Sequence, residues 1–296
     1  LVEELDWTAY VDDVTGGALR KDLVEKARAE ELAWVHQEQI YEKVPVRQCL
    51  ERTGKRPMTT KWLDLNKGDE EHPNYRSRWV ARDLKARKTQ AEKLPETALF
   101  MATPPLEAVY LLLSLMMSVQ YSVRGKRLKI GIWDVSRAHF MGRVTREVYI
   151  EIPGEDQVGD AEPMCGQLIR SMYGTQDASD IWQKDYVELF EKSGFSFGSA
   201  NYACMHSQAL DARGLVHGDD FAVLGDDDAL DEVHRILSSK YTVKVVARLG
   251  PDPKDTKETC FLNRIIRHVA ETSEDVEKLE IEADARHAAL IIKHLG

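Results

Sequence analysis

One segment constrains the fold of this chain more than any other: the run LVHGDDFAVLG at residues 215–225. Two short apolar stretches flank a Gly-Asp-Asp tip, and Gly and Asp tolerate the positive φ angles that tight turns require. This pattern predicts a β-hairpin with Asp219 and Asp220 at its tip. A Gly-Asp turn is common in proteins of many functions, so the hairpin alone predicts a shape and not an activity.

The segments around the hairpin predict a mixed α and β domain. Apolar runs rich in β-branched residues are typical of buried strands, and apolar residues at helical spacing indicate amphipathic helices. Asp226 to Asp228 are suited to begin the helix that follows the hairpin. The predicted order is strand, helix, hairpin, helix and strand, over residues 128–136, 177–193, 215–225, 227–239 and 241–247.

This order brings Asp134, near the end of the first strand, close to Asp219 and Asp220 at the hairpin tip. Carboxylates on rigid strands can bind Mg²⁺, which prefers oxygen ligands and usually combines one or two carboxylates with substrate phosphates. Two such ions about 4 Å apart assist phosphoryl transfer. Taken singly, each feature has a simpler structural explanation: the Gly-Asp tip as an ordinary turn, and Asp134 as the cap of a strand.

Other segments have simpler patterns. Residues 19–40 are rich in helix formers, and Pro104 and Pro105 precede a predicted helix that continues to about residue 118. Residues 41–93 alternate β-branched and aromatic residues with basic ones, and Gly and Pro interrupt them, which predicts short strands and loops. The tail from residue 271 is acidic, and we expect it to be partly helical.

Charge and composition limit the possible partners. The 296 residues carry a net charge of -10, which argues against a nucleic-acid partner, yet residues 43–93 hold 14 Lys and Arg against 7 Asp and Glu. That segment is either an anion-binding surface or a solvated basic face. The 4 cysteines form no C-x-x-C pair and the N-terminus resembles no signal peptide, so we expect an intracellular protein. No apolar run reaches the ~20 residues that span a membrane, so no membrane association is expected.

Several motifs in a fixed order resemble the reverse transcriptase domain of copia-type LTR retrotransposons. That family carries an Arg/Lys-rich Y-K-A-R-L-V-A-[RK] segment, then D-V-x-x-A-F, E-V-Y-[IM]-x-x-P, [KR]-x-L-Y-G-L-K-Q-A-P-R-x-W and Y-V-D-D on a hairpin. The resemblance covers roughly residues 30–295. The corresponding segments here are YRSRWVAR (75–82), DVSRAHFMG (134–142), EVYIEIP (147–153), IRSMYGTQDASDIW (169–182) and VHGDDFAVLG (216–225).

The resemblance implies an α+β fold of the right-hand polymerase type. Its palm is an antiparallel sheet with packed helices, accompanied by fingers, while the thumb is truncated or absent. The implied regions are an N-terminal helical segment at 1–40, fingers at 41–127, a palm at 128–247 and a thumb-like tail at 248–296.

The resemblance also implies roles for individual residues. Asp134, Asp219 and Asp220 correspond to the catalytic carboxylates that bind two Mg²⁺ ions, for which Mn²⁺ can substitute. The other implied contacts are with the nucleotide-side metal ion (the Val135 carbonyl), the triphosphate (Arg76, Arg78 and Arg82), the sugar (His139, followed by Phe140) and the template (Tyr173 and Gly174).

The implied function is RNA-directed DNA polymerisation, in which a primer on an RNA or DNA template is extended with nucleoside triphosphates. The implied setting is a Pol polyprotein in a cytoplasmic retroelement particle or in the nucleus. Because His217 and Gly218 give a G-D-D tip, a viral-type RNA-dependent RNA polymerase is the first alternative. A non-catalytic transposon-derived remnant is the second.

Two features of the sequence do not follow the family pattern: a second Asp-Asp pair near the start, and two acidic residues within a motif. AYVDDV at 9–14 repeats the Y-V-D-D letters but precedes every other motif, so we interpret Asp12 and Asp13 as a loop and helix-capping pair. Asp177 and Asp180 stand where the family has Gln and Arg. A carboxylate near phosphates is repulsive, and we therefore expect both residues to weaken substrate binding.

Overall fold

The structure, a computed structural model, describes residues 10–83, 101–157, 159, 162–270, 277–282 and 291–292. The helices are α1 (Lys21–Gln37), α2 (Val46–Thr53), α3 (Leu106–Val119), α4 (Ala178–Lys192) and α5 (Asp227–Ser238). The first strands are β1 (Tyr10–Val11), β2 (Ala18–Leu19), β3 (Tyr41–Pro45), β4 (Thr60–Asn66), β5 (Tyr75–Ala81), β6 (Lys129–Val135), β7 (Tyr149–Ile150) and β8 (Met164–Leu168). The later strands are β9 (Ser196–Phe197), β10 (Cys204–Ser207), β11 (Ala212–His217), β12 (Asp220–Gly225), β13 (Val243–Leu249), β14 (Glu258–Phe261), β15 (Arg264–Ala270) and β16 (Glu277–Glu282).

The chain forms two compact units, and each is built from two separate stretches of sequence. The first unit comprises Leu1–Phe100 and His139–Trp182, and the second comprises Met101–Ala138 and Gln183–Gly296. The predicted regions, a helical segment, fingers, palm and tail, follow the family's functional parts and not these compact units. That division stays a prediction.

The second unit contains an antiparallel sheet with the strand order β13-β6-β12-β11-β10-β9. Strands β11 and β12 form the predicted hairpin, and β6 is the predicted strand beside it. The mixed α and β class with antiparallel sheets, predicted for a polymerase palm, is confirmed. Asp226 begins α5 as expected, since its side chain accepts a hydrogen bond from the Ala229 backbone N–H at 3.1 Å.

The apolar core of this unit lies on one face of the sheet. Leu112 and Met116 of α3 belong to the same buried cluster as Ile130 and Ile132 of β6. Alternate residues of a strand point to the same face, so Asp134 shares the face of these two isoleucines. The core therefore fixes the face on which Asp134 lies.

A buried ion cluster anchors the other end of β6. The Lys129 side chain is 1% exposed, and its ammonium group donates to the carboxylates of Asp227 (2.9 Å), Asp252 (2.7 Å) and Asp255 (2.9 Å). Burial lowers the pKa of Lys129, but these three hydrogen bonds raise it more, so its pKa lies above the ordinary value. Lys129 is therefore charged at neutral pH and neutralises buried acid.

The first unit contains the small sheets β3-β8-β7, β4-β5 and β1-β2. Helix α1 packs against β5, where Leu32 and Val35 join the fully buried Trp79 in one apolar cluster. Phe140 and Met172 belong to the same cluster and have no exposed surface. This packing places β5 and the segment around residue 172 on a common core.

Most predicted elements are present, and three predictions need correction. Residues 46–53, expected as strand or loop, form α2, which begins after Pro45 and ends at Gly54 in the left-handed conformation. Asp12 and Asp13 do not cap a helix, because α1 begins after Arg20 without a side-chain cap. Within the tail, residues 277–282 form strand β16, because their alternating pattern pairs with β15. Residues 291–292 are helical, and the rest of the tail beyond 270 lies outside the described residues, as do residues 1–9.

We expect Lys129→Met to lower the free energy of unfolding by about 3–5 kcal/mol, because it leaves Asp255, whose side chain is 1% exposed, without its cation. Urea denaturation followed by circular dichroism would measure the loss. Lys126→Met is the control, since Lys126 forms a solvent-exposed pair with Asp228. Equal losses in the two variants would show that the buried cluster does not anchor β6.

Candidate active site

The turn between β11 and β12 is a two-residue connection. His217 pairs with Asp220, which leaves Gly218 and Asp219 as the central residues. Gly218 has a φ of 67°, whereas Asp219 is not among the described residues with positive φ. A positive φ at the first central position alone is the pattern of a type II′ turn, which favours Gly there. The glycine of the G-D-D tip is thus required by the turn.

Strand pairing brings the predicted carboxylates together. Asp220 of β12 lies directly opposite Asp134 of β6, so their side chains share one face. The backbone N–H of Val135 donates to the carbonyl oxygen of Asp219 at 2.9 Å, which attaches the turn to β6. Residues separated by 84 and 86 positions in sequence are therefore neighbours through the pairing of β6 with β12 and the main-chain hydrogen bond beside it.

The electrostatics of the site disfavour three negative charges. Burial raises the pKa of Asp220 to about 6, and the charges of Asp219 and Asp134 add to the increase. A carboxyl group held above its ordinary pKa by neighbouring carboxylates is stabilised by any cation that enters. The electrostatics of the site therefore favour binding of a cation.

The donor set fits a hard divalent cation. Carboxylate oxygens are the ligands that Mg²⁺ prefers, and Mg²⁺ sites normally keep several waters and use substrate phosphates. Within the part of the chain that the structure describes, no three His, Cys, Asp or Glu side chains converge closely enough to hold a metal ion by themselves. The carboxylates thus suit metals that arrive with substrate better than a closed protein site.

The same register places two further side chains in line with the carboxylates. Lys244 of β13 lies opposite Asp134, and His217 of β11 lies opposite Asp220. Across the sheet the row reads Lys244, Asp134, Asp220, His217. Sequence reasoning missed Lys244, because nothing in YTVKVVA reveals which residue of an edge strand lies beside an aspartate more than a hundred positions away.

Two of the predicted triphosphate ligands share one face of β5. Arg76 and Arg78 alternate along the strand, opposite Leu65 and Leu63 of β4. The Arg78 guanidinium lies 5.3 Å from the centre of the Tyr173 ring, a cation–π contact. Neither arginine forms an ion pair or hydrogen bond through its side chain with another described residue, so both charges are available to an anion.

Tyr173 and Gly174 are fixed to the end of β5 by the backbone. The Ala81 N–H donates to the Tyr173 carbonyl oxygen at 2.7 Å. Gly174 has a φ of 86°, and a Cβ there would lie 2.0 Å from the Ala81 carbonyl oxygen. Only glycine fits so close an approach. The motif residue is therefore needed to seat Tyr173 beside Arg78.

His139 and Phe140 occupy different environments. The His139 ring is partly exposed and lies 4.9 Å from the Tyr173 ring, with the Ser179 hydroxyl 3.4 Å from its Nε2. Phe140 has no exposed surface and packs between Trp34 and Tyr173, so it supports its neighbours from within the core. Their contacts with a substrate stay predictions.

Arg82 lies just beyond the end of β5 and lines a cavity of about 680 Å³ in the first unit. Lys55, Arg56 and Arg146 line the same cavity, and so do the acidic residues Asp83, Glu147 and Glu151. The charges on the wall nearly balance, and the role of Arg82 in binding the triphosphate stays a prediction.

Asp177 forms a buried ion pair that the sequence did not predict. It is 5% exposed, and its carboxylate accepts two hydrogen bonds from the Arg146 guanidinium, at 2.8 and 3.0 Å. Arg146 also donates to Asp83 at 2.8 Å. Because the two carboxylates share one cation, their charge is compensated only in part, and the expectation that Asp177 opposes substrate phosphates stays a prediction. The partner could not be found from the sequence, since 30 residues separate it from Asp177.

The second Asp-Asp pair has a structural role in the first unit. The Asp12 carboxylate accepts hydrogen bonds from the backbone N–H groups of Val14, Thr15 and Asn66, which lower its pKa to about 2. Asp13 accepts one from the backbone N–H of Asp64 at 2.8 Å. These contacts confirm the loop interpretation, and they join the β1–β2 loop to β4.

Comparison with known proteins agrees with this geometry. Residues 26–251 match the model of the family described as reverse transcriptase (RNA-dependent DNA polymerase). The match covers more than half of the chain. The chain belongs to the reverse transcriptase family. The resemblance to copia-type elements is confirmed by a retrotransposon relative, and the family in general uses divalent metal ions.

The retrovirus-related Pol polyprotein from transposon TNT 1-94 of Nicotiana tabacum is 25% identical over 238 residues. The aligned region is 78% of this chain and 16% of that polyprotein, so the chain spans about a sixth of the relative's length. A solved structure of the foamy viral protease-reverse transcriptase with double-stranded DNA aligns with a TM-score of 0.45 and 14% identity, over 90% of this chain and 38% of that chain.

Within the described residues, no helix is both long and apolar enough to cross a membrane.

We expect Asp220→Asn to raise the melting temperature in EDTA at pH 7.5. The folded wild type bears a cost there because its carboxyl has a pKa of about 6, above the value near 3.9 of an unfolded chain. That cost is absent below about pH 4 and complete above about pH 6, so the advantage of the variant should shrink as pH falls. Each kcal/mol corresponds to about 2–4 °C.

Scanning calorimetry between pH 5 and 7.5 would measure this difference. Asp228→Asn is the control, since Asp228 is exposed and pairs with Lys126. A gain of equal size in both variants, or one independent of pH, would contradict the assignment to the repulsion at Asp220.

We expect Asp177→Asn to lower the free energy of unfolding by about 1.5–3 kcal/mol, because it removes a buried charge-assisted pair with Arg146. Urea denaturation of Asp177→Asn, Arg146→Met and the double variant would measure the coupling. The double variant should lose less than the sum of the single losses. Additive losses would mean that the two side chains do not stabilise each other.

Proposed function

We propose that this chain extends the 3′-hydroxyl of a primer on an RNA or DNA template, using deoxynucleoside triphosphates, as the reverse transcriptase module of a copia-type retrotransposon Pol polyprotein. The family match supports the reaction type, and the relative from TNT 1-94 supports the retrotransposon context.

The observation that carries the proposal is the register of β6 and β12. It sets Asp134 opposite Asp220, with Asp219 in the adjoining turn. Burial and these two neighbouring charges raise the pKa of Asp220. Three acidic side chains beside one another are costly unless cations bind them. A structural role alone does not account for three carboxylates where β6 ends and β12 begins.

In the proposed mechanism Asp134, Asp219 and Asp220 hold two Mg²⁺ ions, for which Mn²⁺ can substitute. Bound there, the ions would activate the attacking oxygen and stabilise the leaving one. The protein residues supply alignment: the strand pairing holds the carboxylates in place, and the Val135 carbonyl would contribute to binding the nucleotide-side ion. No general base is required of the chain, because phosphoryl transfer depends mainly on positioning and electrostatics.

The nucleotide and template are assigned to residues of the first unit. Arg76 and Arg78 bind the triphosphate, and the partly exposed ring of His139 contacts the sugar where the family has an aromatic residue. Arg82 contributes a further cation, and Tyr173 with Gly174 contacts the template. The backbones of Tyr173 and Gly174 are hydrogen-bonded at the end of β5, the strand that carries Arg76 and Arg78, and this proximity supports a common function.

The family match favours this reaction over the viral-type RNA-dependent RNA polymerase. Primer extension distinguishes an active polymerase from the non-catalytic remnant. Association with the rest of a Pol polyprotein, in a cytoplasmic particle or in the nucleus, forms part of the proposal.

We expect the chain to extend oligo(dT) on poly(rA) with Mg²⁺ or Mn²⁺, and Asp219→Asn to reduce extension at least about 100-fold, because a neutral amide is a weaker metal ligand. Gel analysis of labelled primers would measure the rate. Asp13→Asn is the matched control from the second Asp-Asp pair, since an Asn side chain can still accept the Asp64 N–H. Extension lost equally in both variants, or absent from a folded wild type with either metal, would favour the remnant.

A further inference from the structure

The row across the sheet contains one cation among the proposed metal ligands. Lys244 and Asp134 are directly opposed in β13 and β6, and directly opposed residues have Cβ atoms about 4.5–5.5 Å apart on one face. The next residue in the row is Asp220. Lys244 is therefore held beside the carboxylates by main-chain pairing, whatever its side-chain rotamer.

Among the described residues, Lys244 has no structural partner that would account for it. Its side chain is exposed, and it forms no ion pair or hydrogen bond with any other residue that the structure describes. Other lysines of the second unit behave differently: Lys129 and Lys126 pair with aspartates. The ammonium group of Lys244 is thus available to whatever occupies the site.

An edge lysine can also serve to prevent strands of two molecules from pairing. Strand β13 is the last of its sheet among the described strands, and Val245 and Val246 beside Lys244 are 52% and 42% exposed. This role would be met by a lysine anywhere on the exposed part of β13. It does not require the position opposite Asp134.

A fixed positive charge acts in opposite directions on the two ligands of such a site. It repels a divalent cation that enters alone, and at about 7 Å with an effective dielectric constant of 40–80 the repulsion weakens binding roughly seven- to fiftyfold. A metal that enters with a nucleoside triphosphate brings excess negative charge, which the same ammonium group attracts. The lysine thus penalises the metal alone and favours the metal–nucleotide complex.

We propose that Lys244 is a positioning residue that makes divalent-metal binding at Asp134 and Asp220 dependent on the nucleotide. This inference rests on the proposed function. It goes beyond that function by assigning to the row a coupling between metal and nucleotide.

The test uses the full chain with two measurements. Binding of Mn²⁺ alone is followed by electron paramagnetic resonance of the free ion. Binding of dTTP with Mg²⁺ is followed on a dideoxy-terminated primer, which cannot be extended, through the fluorescence of a 2-aminopurine in the template. The variants are Lys244→Met and the conservative Lys244→Arg. The matched control is Lys254→Met, which removes the same charge near Lys129, about 17 Å from Asp134 along β6.

We expect Lys244→Met to bind Mn²⁺ alone about seven- to fiftyfold more tightly and dTTP more weakly by a similar factor. Lys244→Arg and Lys254→Met should remain close to wild type in both. Changes in the same direction, no change, or a change only in aggregation would overturn the inference while leaving the proposed function standing. A wild type that binds neither Mn²⁺ nor dTTP would overturn both.

Discussion

The antiparallel pairing of β6 with β12 is the constraint on which the candidate site depends. Successive side chains of a strand alternate between faces, so a slip of one residue would move Asp134 away from Asp220 and onto a different pairing. The apolar residues Ile130 and Ile132 prevent such a slip, because it would move them out of the core. The geometry of the acidic residues is therefore set by hydrophobic burial several residues away.

The two ends of β6 show opposite electrostatic solutions. At one end Lys129 is surrounded by three carboxylates, and the buried charges are satisfied within the protein. At the other end the carboxylates repel one another, which raises the pKa of Asp220. Repulsion among carboxylates at a strand end is costly to folding and useful to function, since a bound cation relieves it. The stability of the sheet offsets that cost.

Departures from the family motif are easier to understand once partners are visible. Asp177, where the family has Gln, is paired with Arg146 and joined through it to Asp83. His139, where the family has Phe, keeps a ring contact with Tyr173. In both cases a change in the motif is matched by a neighbouring side chain, so it is not by itself a sign of decay.

The sequence by itself determined the types and order of most elements, because apolar periodicity, Asp226 at a helix start and Gly218 in a turn act within a few residues. It also predicted family membership and the three acidic residues. Only the tertiary structure decided that Lys244 lies beside Asp134, that Arg146 pairs with Asp177, and that residues 277–282 form a strand. Those outcomes depend on strand register and on ion pairs between distant segments, and neither is encoded in any local window of sequence.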